Sequence, residues 1–123
     1  MKKLNRLDWL NDRFEHCRCA PQVLTSAKKI KPLVSKLVKS AKLDVVKFAA
    51  HQFNRGYTAV WLFKQSHLSL HSWPEYRFLT VSIEVCSFDG DDPSKLTKLH
   101  QGLISLFKPR HTSPRKFTKK AHA

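Results

Sequence analysis

The chain of 123 residues predicts an α+β fold: a two-layer sandwich whose mostly antiparallel sheet carries two helices on one face. Three observations point there. Segments 43–53, 57–65 and 78–86 are each rich in β-branched and aromatic residues, as strands are. Two other stretches repeat apolar residues at three- and four-residue steps, as helices with one buried face do. The order strand, helix, strands, helix lets both helices cover the same side of one sheet.

Taken in order, "LDWLNDRFEHC" (7–17) has apolar residues at Leu7, Trp9 or Leu10, and Phe14, an irregular pattern that reads as a first strand. In "TSAKKIKPLVSKLVKSAK", Ile30, Leu33, Val34, Leu37, Val38 and Ala41 make an apolar stripe with lysines opposite. Pro32 sets the regular helix to begin near Lys31 or to bend there. "LDVVKFAAHQF" and "YTAVWLFKQ" are joined by "NRG", a hairpin turn in which Gly56 supplies a permissive backbone. Residues 65–76 read as a strand running into a turn. In "FLTVSIEVC", Leu79, Val81, Ile83 and Val85 alternate with Thr80, Ser82, Glu84 and Cys86, giving one core face. Asp92 and Pro93 open a second helix, whose buried stripe is Leu96, Leu99, Leu103, Ile104 and Phe107.

Composition narrows the function classes. A hydrophobic fraction of 41% is too rich for a disordered chain, and no apolar run approaches the ~20 residues of a membrane helix. Asp8, Asn11 and Asp12 interrupt the N-terminal stretch, so no secretory signal is expected and the location is read as cytoplasmic. The odd set Cys17, Cys19 and Cys86 suits a reducing compartment. "HCRC" lacks the gap and second ligand pair of a zinc site, so no metal is expected. Against 9 acids, 23 lysines and arginines leave +14, a field that attracts polyanions. Lys108, Arg110, Arg115, Lys116, Lys119 and Lys120 crowd into 108–123 without an acid. The domain is therefore expected to span 1–107, with 108–123 a flexible basic tail: a solvated end, or a secondary contact for nucleic acid.

The densest chemistry lies in "QSHLSLHSWPEY" (65–76). This stretch resembles the signature of the S-adenosylmethionine decarboxylase proenzymes of bacteria and archaea, a serine followed by His-Leu-Ser/Thr-Ile-His-Thr-Trp-Pro-Glu-Tyr. The resemblance runs from about Leu7 to Phe107. It takes in Cys17, "AAHQF", the hairpin, Cys86 twenty residues beyond Ser66, and "DDP" before the last helix. Taken singly, Ser66 and His71 are ordinary strand residues, Cys86 a small buried hydrophobe, and Phe53 and Trp73 core aromatics. The whole signature at its spacing carries the functional reading.

Decarboxylating an amino acid requires an electron sink, which side chains do not offer. The resemblance implies one made from the chain itself. Ser66 attacks the carbonyl of Gln65, loss of the α-proton breaks the resulting ester, and the chain divides between 65 and 66 with a pyruvoyl group capping the second part. The resemblance further implies His71 as the base for that proton, and Thr58, in the place of a family serine, as its support. In turnover it implies Cys86 as the proton donor, Glu75 on the ribose hydroxyls and Phe53 against adenine, with Trp73 as a further wall. The implied substrate is S-adenosylmethionine, whose product donates aminopropyl groups for spermidine synthesis. The implied assembly is a homodimer with sites drawing on both subunits, and no membrane partner. Gln65, Arg77 and Ser87 stand where the family usually has glutamate, glycine and glycine. Arg77 beside the site would repel a sulfonium or recognise a different carboxylate, and the resemblance implies decarboxylation of arginine or ornithine, as in some relatives, as the first alternative. An inactive basic RNA-binding homologue is the second, although Ser66, His71 and Cys86 are all retained.

Overall fold

Strand alternation builds the molecule, which the computed structural model describes over residues 3–121. The strands among these residues are β1 (Leu4–Glu15), β2 (Val45–Gln52), β3 (Tyr57–Phe63), β4 (Ser66–Trp73), β5 (Phe78–Phe88), β6 (His111–Thr112) and β7 (Arg115–Lys120). They pair antiparallel in one sheet of order β2-β3-β4-β5-β1-β6, with β7 also on β1. The helices are α1 (Pro21–Thr25), α2 (Ala27–Ser40) and α3 (Lys95–Phe107). The α+β sandwich is as the sequence predicts.

Every second residue of the inner strands faces the helices. Ala59, Leu70, Val81 and Asp12 form one cross-strand row, and Trp61, Leu68, Ile83 and Leu10 the next. Against these rows α2 buries Ala27, Ile30, Val34 and Val38, while α3 buries Leu96, Leu99, Leu103 and Phe107. Burying each such aliphatic side chain contributes about 1.5–3 kcal/mol. The two helices touch where a Cβ on Gly102 would stand 2.9 Å from Leu37 Cδ2.

Several expectations are corrected. The helix foreseen near Lys31 starts at Ala27, where the Ser26 side chain accepts from the Lys29 N–H, and Pro32 sits inside it. The missing N–H of Pro32 leaves the Lys28 carbonyl unpartnered in the helix, and Lys28 is exposed to water. Leu33, placed on the buried stripe, is exposed. The short helix α1 is an addition. Gly56 is not at positive φ; a Cβ there would lie 2.3 Å from the Ser72 carbonyl oxygen, so close approach explains the glycine.

The flexible tail is overturned. Residues 115–120 pair with β1 in continuous register from Arg6↔Lys120 to Asn11↔Arg115. The reason lies in two buried aspartates of β1. Asp8 accepts from Thr118 Oγ1 at 2.6 Å and from Arg6 Nε at 2.8 Å. Asp12 accepts from the Ser113 N–H at 2.6 Å and pairs with His100 Nε2 at 2.7 Å. These acids hold inward positions in a strand that otherwise alternates, which is why its pattern reads as irregular.

Candidate active site

The first group of site residues lies at the β3–β4 turn. Lys64 and Gln65 connect strands paired at Phe63↔Ser66, and Gln65 takes φ 64°. That left-handed conformation costs a non-glycine residue about 1–2 kcal/mol, here on the residue whose carbonyl Ser66 would attack. The carbonyl is not idle: Cys86 Sγ, at the far end of the paired strand β5, donates to it at 3.0 Å. Such a bond polarises a carbonyl toward attack and holds the charge that then develops on oxygen. Burial, and secondarily the Glu84 carboxylate, push the Cys86 thiol up, so it keeps its proton at neutrality. Ser66 and Cys86 line a cavity of about 150 Å³ with Phe63 and Phe88. A serine next to a strained, polarised carbonyl fits the precursor of a pyruvoyl group.

The second group lies around the β2–β3 hairpin and the end of β4. Thr58 and His71 are directly paired across β3 and β4, and Thr58 Oγ1 meets His71 Nδ1 at 2.9 Å. In the tautomer that donates Nδ1–H to the threonine, Nε2 keeps a free lone pair. Phe53, Thr58, His71, Trp73 and Glu75 line one cavity of about 430 Å³. Phe53 and Trp73 are 54% and 41% exposed, so neither is a core aromatic. Trp73 tilts against His71 and Phe78.

Sequence reasoning missed the supports of this group. The Gln52 side chain accepts from the Ala27 N–H and donates to the Thr25, Phe53 and Gly56 carbonyls, fastening the hairpin that carries Phe53 to the start of α2. Ser72 Oγ accepts from the Tyr57 N–H and donates to the Leu24 carbonyl. Arg55 approaches Glu75 at 3.7 Å. An amide residue closing the strand just before the "NRG" turn was the available signal for Gln52.

Arg77 is not in the cavity. It occupies the left-handed region at φ 51°, and its guanidinium donates to the Cys17 and Cys19 carbonyls. The expectation that it faces the substrate and favours a carboxylate is therefore corrected.

The two groups do not meet within one chain. Ser66 and His71 are five residues apart on β4, about 16 Å at ~3.3 Å per residue, and an odd spacing sends their side chains to opposite faces. The face away from the helices carries His71 in a row with Thr58, Thr80 and Arg13, and, further along the strands, a second row of Leu62, His67, Glu84, Trp9 and Phe117. A cavity of about 490 Å³, lined by Arg13, Ser69, His71, Ser82 and Arg115 among others, opens on it. No helix among the described residues is long and apolar enough to cross a membrane.

Known proteins resemble this chain in sequence and fold. The sequence pattern of the S-adenosylmethionine decarboxylase family matches residues 13–120, which include β7. The chain is 32% identical over 98 residues to an S-adenosylmethionine decarboxylase proenzyme of Hydrogenobaculum sp., covering 79% of this chain and 70% of that protein. It is likewise 32% identical over 89 residues to one of Archaeoglobus fulgidus, covering 72% and 76%. The crystal structure of the adenosylmethionine decarboxylase from Aquifex aeolicus superposes with a TM-score of 0.77 at 27% identity, over 94% of this chain and 90% of that one. A match over most of the chain, together with the serine, histidine and cysteine in place, shows that the chain belongs to the S-adenosylmethionine decarboxylase family.

Proposed function

We propose that this chain is a self-cleaving decarboxylase of S-adenosylmethionine, working in the cytoplasm and providing the aminopropyl donor for spermidine synthesis. The observation that carries this reading is the Cys86 thiol on the Gln65 carbonyl, immediately before Ser66. Ser66 Oγ adds to that carbonyl, the Gln65–Ser66 amide C–N bond breaks, and an ester replaces it. His71 Nε2 removes the Ser66 α-proton, and the ester C–O bond breaks to release Gln65 as a carboxylate. Hydrolysis of the resulting enamine releases ammonia and leaves the new N-terminus as a pyruvoyl group. That group, when formed, supplies an electrophilic carbonyl that takes up the substrate amine and accepts the electrons of the departing carboxylate.

The remaining work falls to side chains. Cys86, held protonated, delivers the proton to the α-carbon after carbon dioxide leaves. Glu75 is an acceptor for the ribose hydroxyls, and Phe53 and Trp73 offer exposed ring faces to adenine and to the sulfonium. With its guanidinium engaged on backbone carbonyls, Arg77 is not available to repel the sulfonium or to take a substrate carboxylate. His71 must reach Ser66, and its distance within one chain supports a homodimer. Each site then joins Ser66 and Cys86 of one copy to Thr58, His71, Phe53 and Glu75 of the other. The intact mass of purified protein tests the reading: two chains divided at 65/66 are expected for the natural sequence and one uncut chain for Ser66→Ala. Cleavage of Ser66→Ala at the same bond would overturn it.

A further inference from the structure

The turn that carries Glu75 and Trp73 is held by a residue that faces away from the cavity. Pro74–Tyr76 form a single 3₁₀ turn closed by the Arg77 N–H on the Pro74 carbonyl at 3.0 Å. So short a turn has little rigidity of its own. Arg77 ties it to the loop between β1 and α1 by three bonds: its Nε donates to the Cys17 carbonyl at 2.7 Å, its Nη2 donates to the Cys19 carbonyl, and its own carbonyl accepts from the Cys17 N–H at 2.9 Å. The receiving loop is anchored in turn, since Cys17 and Cys19 are buried and the Arg18 N–H bonds the Lys108 carbonyl at 2.9 Å. A planar guanidinium spans two carbonyls two residues apart; an ammonium, with its donors on one atom, does not reproduce that fork. Among the described residues no carboxylate forms an ion pair with Arg77, so the carbonyls are what its charge serves.

We propose that Arg77 is a positioning residue for the substrate-binding wall, acting through the 3₁₀ turn to fix Glu75 and Trp73; this rests on the reading of their cavity as the S-adenosylmethionine site. Its left-handed backbone is sustained because the clamp over-determines the turn. Ser66 stands at the other end of β4 and Cys86 on β5, and His71 is held on β4 by its pairing with Thr58 rather than by the turn, so self-cleavage does not depend on the clamp.

The test compares Arg77→Gly, Arg77→Lys and the natural chain. Glycine fits the positive φ and removes only the fork, so the variant keeps its fold. All three are expected to cleave alike by intact mass. KM for S-adenosylmethionine is expected to rise on the order of tenfold in Arg77→Gly, with kcat within about twofold and Arg77→Lys only partly restored, since small misplacement of a binding group costs affinity steeply. Amide hydrogen exchange at 73–77 should quicken in Arg77→Gly whether or not a substrate is known. Unchanged exchange, or quickened exchange with KM within twofold of the natural chain, would overturn the proposal. Quickened exchange in a protein that turns over no S-adenosylmethionine would instead overturn the substrate reading and leave Arg77 as the clamp of this turn.

Discussion

Cys86 carries two tasks with one proton. Its thiol donates to the Gln65 carbonyl before cleavage and is the acid of turnover afterwards. Cys86→Ala is therefore expected to slow self-cleavage on the order of 10², the effect of losing one donor to a developing oxyanion. Turnover of whatever fraction is cleaved should fall by ~10²–10⁴. Time courses of cleavage by mass and of carbon dioxide release separate the two. Because burial and Glu84 raise the thiol, the alkaline limb of kcat should lie above the ordinary thiol value of 9.0; a limb below that value would show that Cys86 is not the acid. Cys17 makes a different pH prediction. Its value rises from 9.0 to about 12 through burial and the neighbouring Cys19, so the folded state favours the neutral thiol. That contribution is complete below pH 9 and lost as pH rises toward 12, and Cys17→Ala should flatten this part of a urea-stability profile. Ser66, His71, Trp73 and Glu75 could be proposed as site residues because the signature fixes residue type and spacing together, and Thr58, Phe53 and Cys86 from the wider resemblance. Arg77 was misjudged because sequence order places it beside Glu75, whereas a left-handed backbone turns its side chain toward Cys17 and Cys19.

At the scale of elements, β7 is part of the sheet rather than an appendage. Removing 109–123 uncovers the edge of β1 and takes Thr118 from Asp8 and the Ser113 N–H from Asp12. Each buried acid then keeps a partner, Arg6 for Asp8 and His100 for Asp12, and loses a hydrogen bond worth about 1 kcal/mol or more. The truncation should therefore lower Tm by at least about 5 °C, and a melting curve matching the full chain would contradict the role assigned to β7. The strands from 57 to 86 show the alternation that follows from one-sided burial, whereas β2 was legible only from its β-branched and aromatic residues, since nearly all of it is exposed. β7 was not, because an edge strand with every side chain exposed has no apolar face, and "RKFTKK" has the composition of a tail. What orders it is the pairing of its backbone with β1 and of Thr118 with a buried acid far away in sequence, which no local pattern reveals.

The whole molecule is organised around a separation. Serine and cysteine stand at one end of the sheet, and the histidine with its binding wall at the other, about 16 Å along β4 by strand rise. That separation was already implicit in "SHLSLH": once these residues form a strand, an interval of five sends Ser66 and His71 to opposite faces. The open face lies between the ends and presents Trp9, Leu62 and Phe117 to a second copy. Sedimentation of the cleaved protein should accordingly give a dimer. The most direct measurement co-expresses Ser66→Ala with His71→Ala, distinguishable by mass. Neither variant should be cut alone. In mixed dimers Ser66 and Cys86 of the His71→Ala chain meet Thr58 and His71 of the other, so about a quarter of all chains, every one of them His71→Ala, should be found divided at 65/66 under random pairing. A mixture that stays entirely uncut, or a His71→Ala chain that cuts itself unaided, would contradict the shared site.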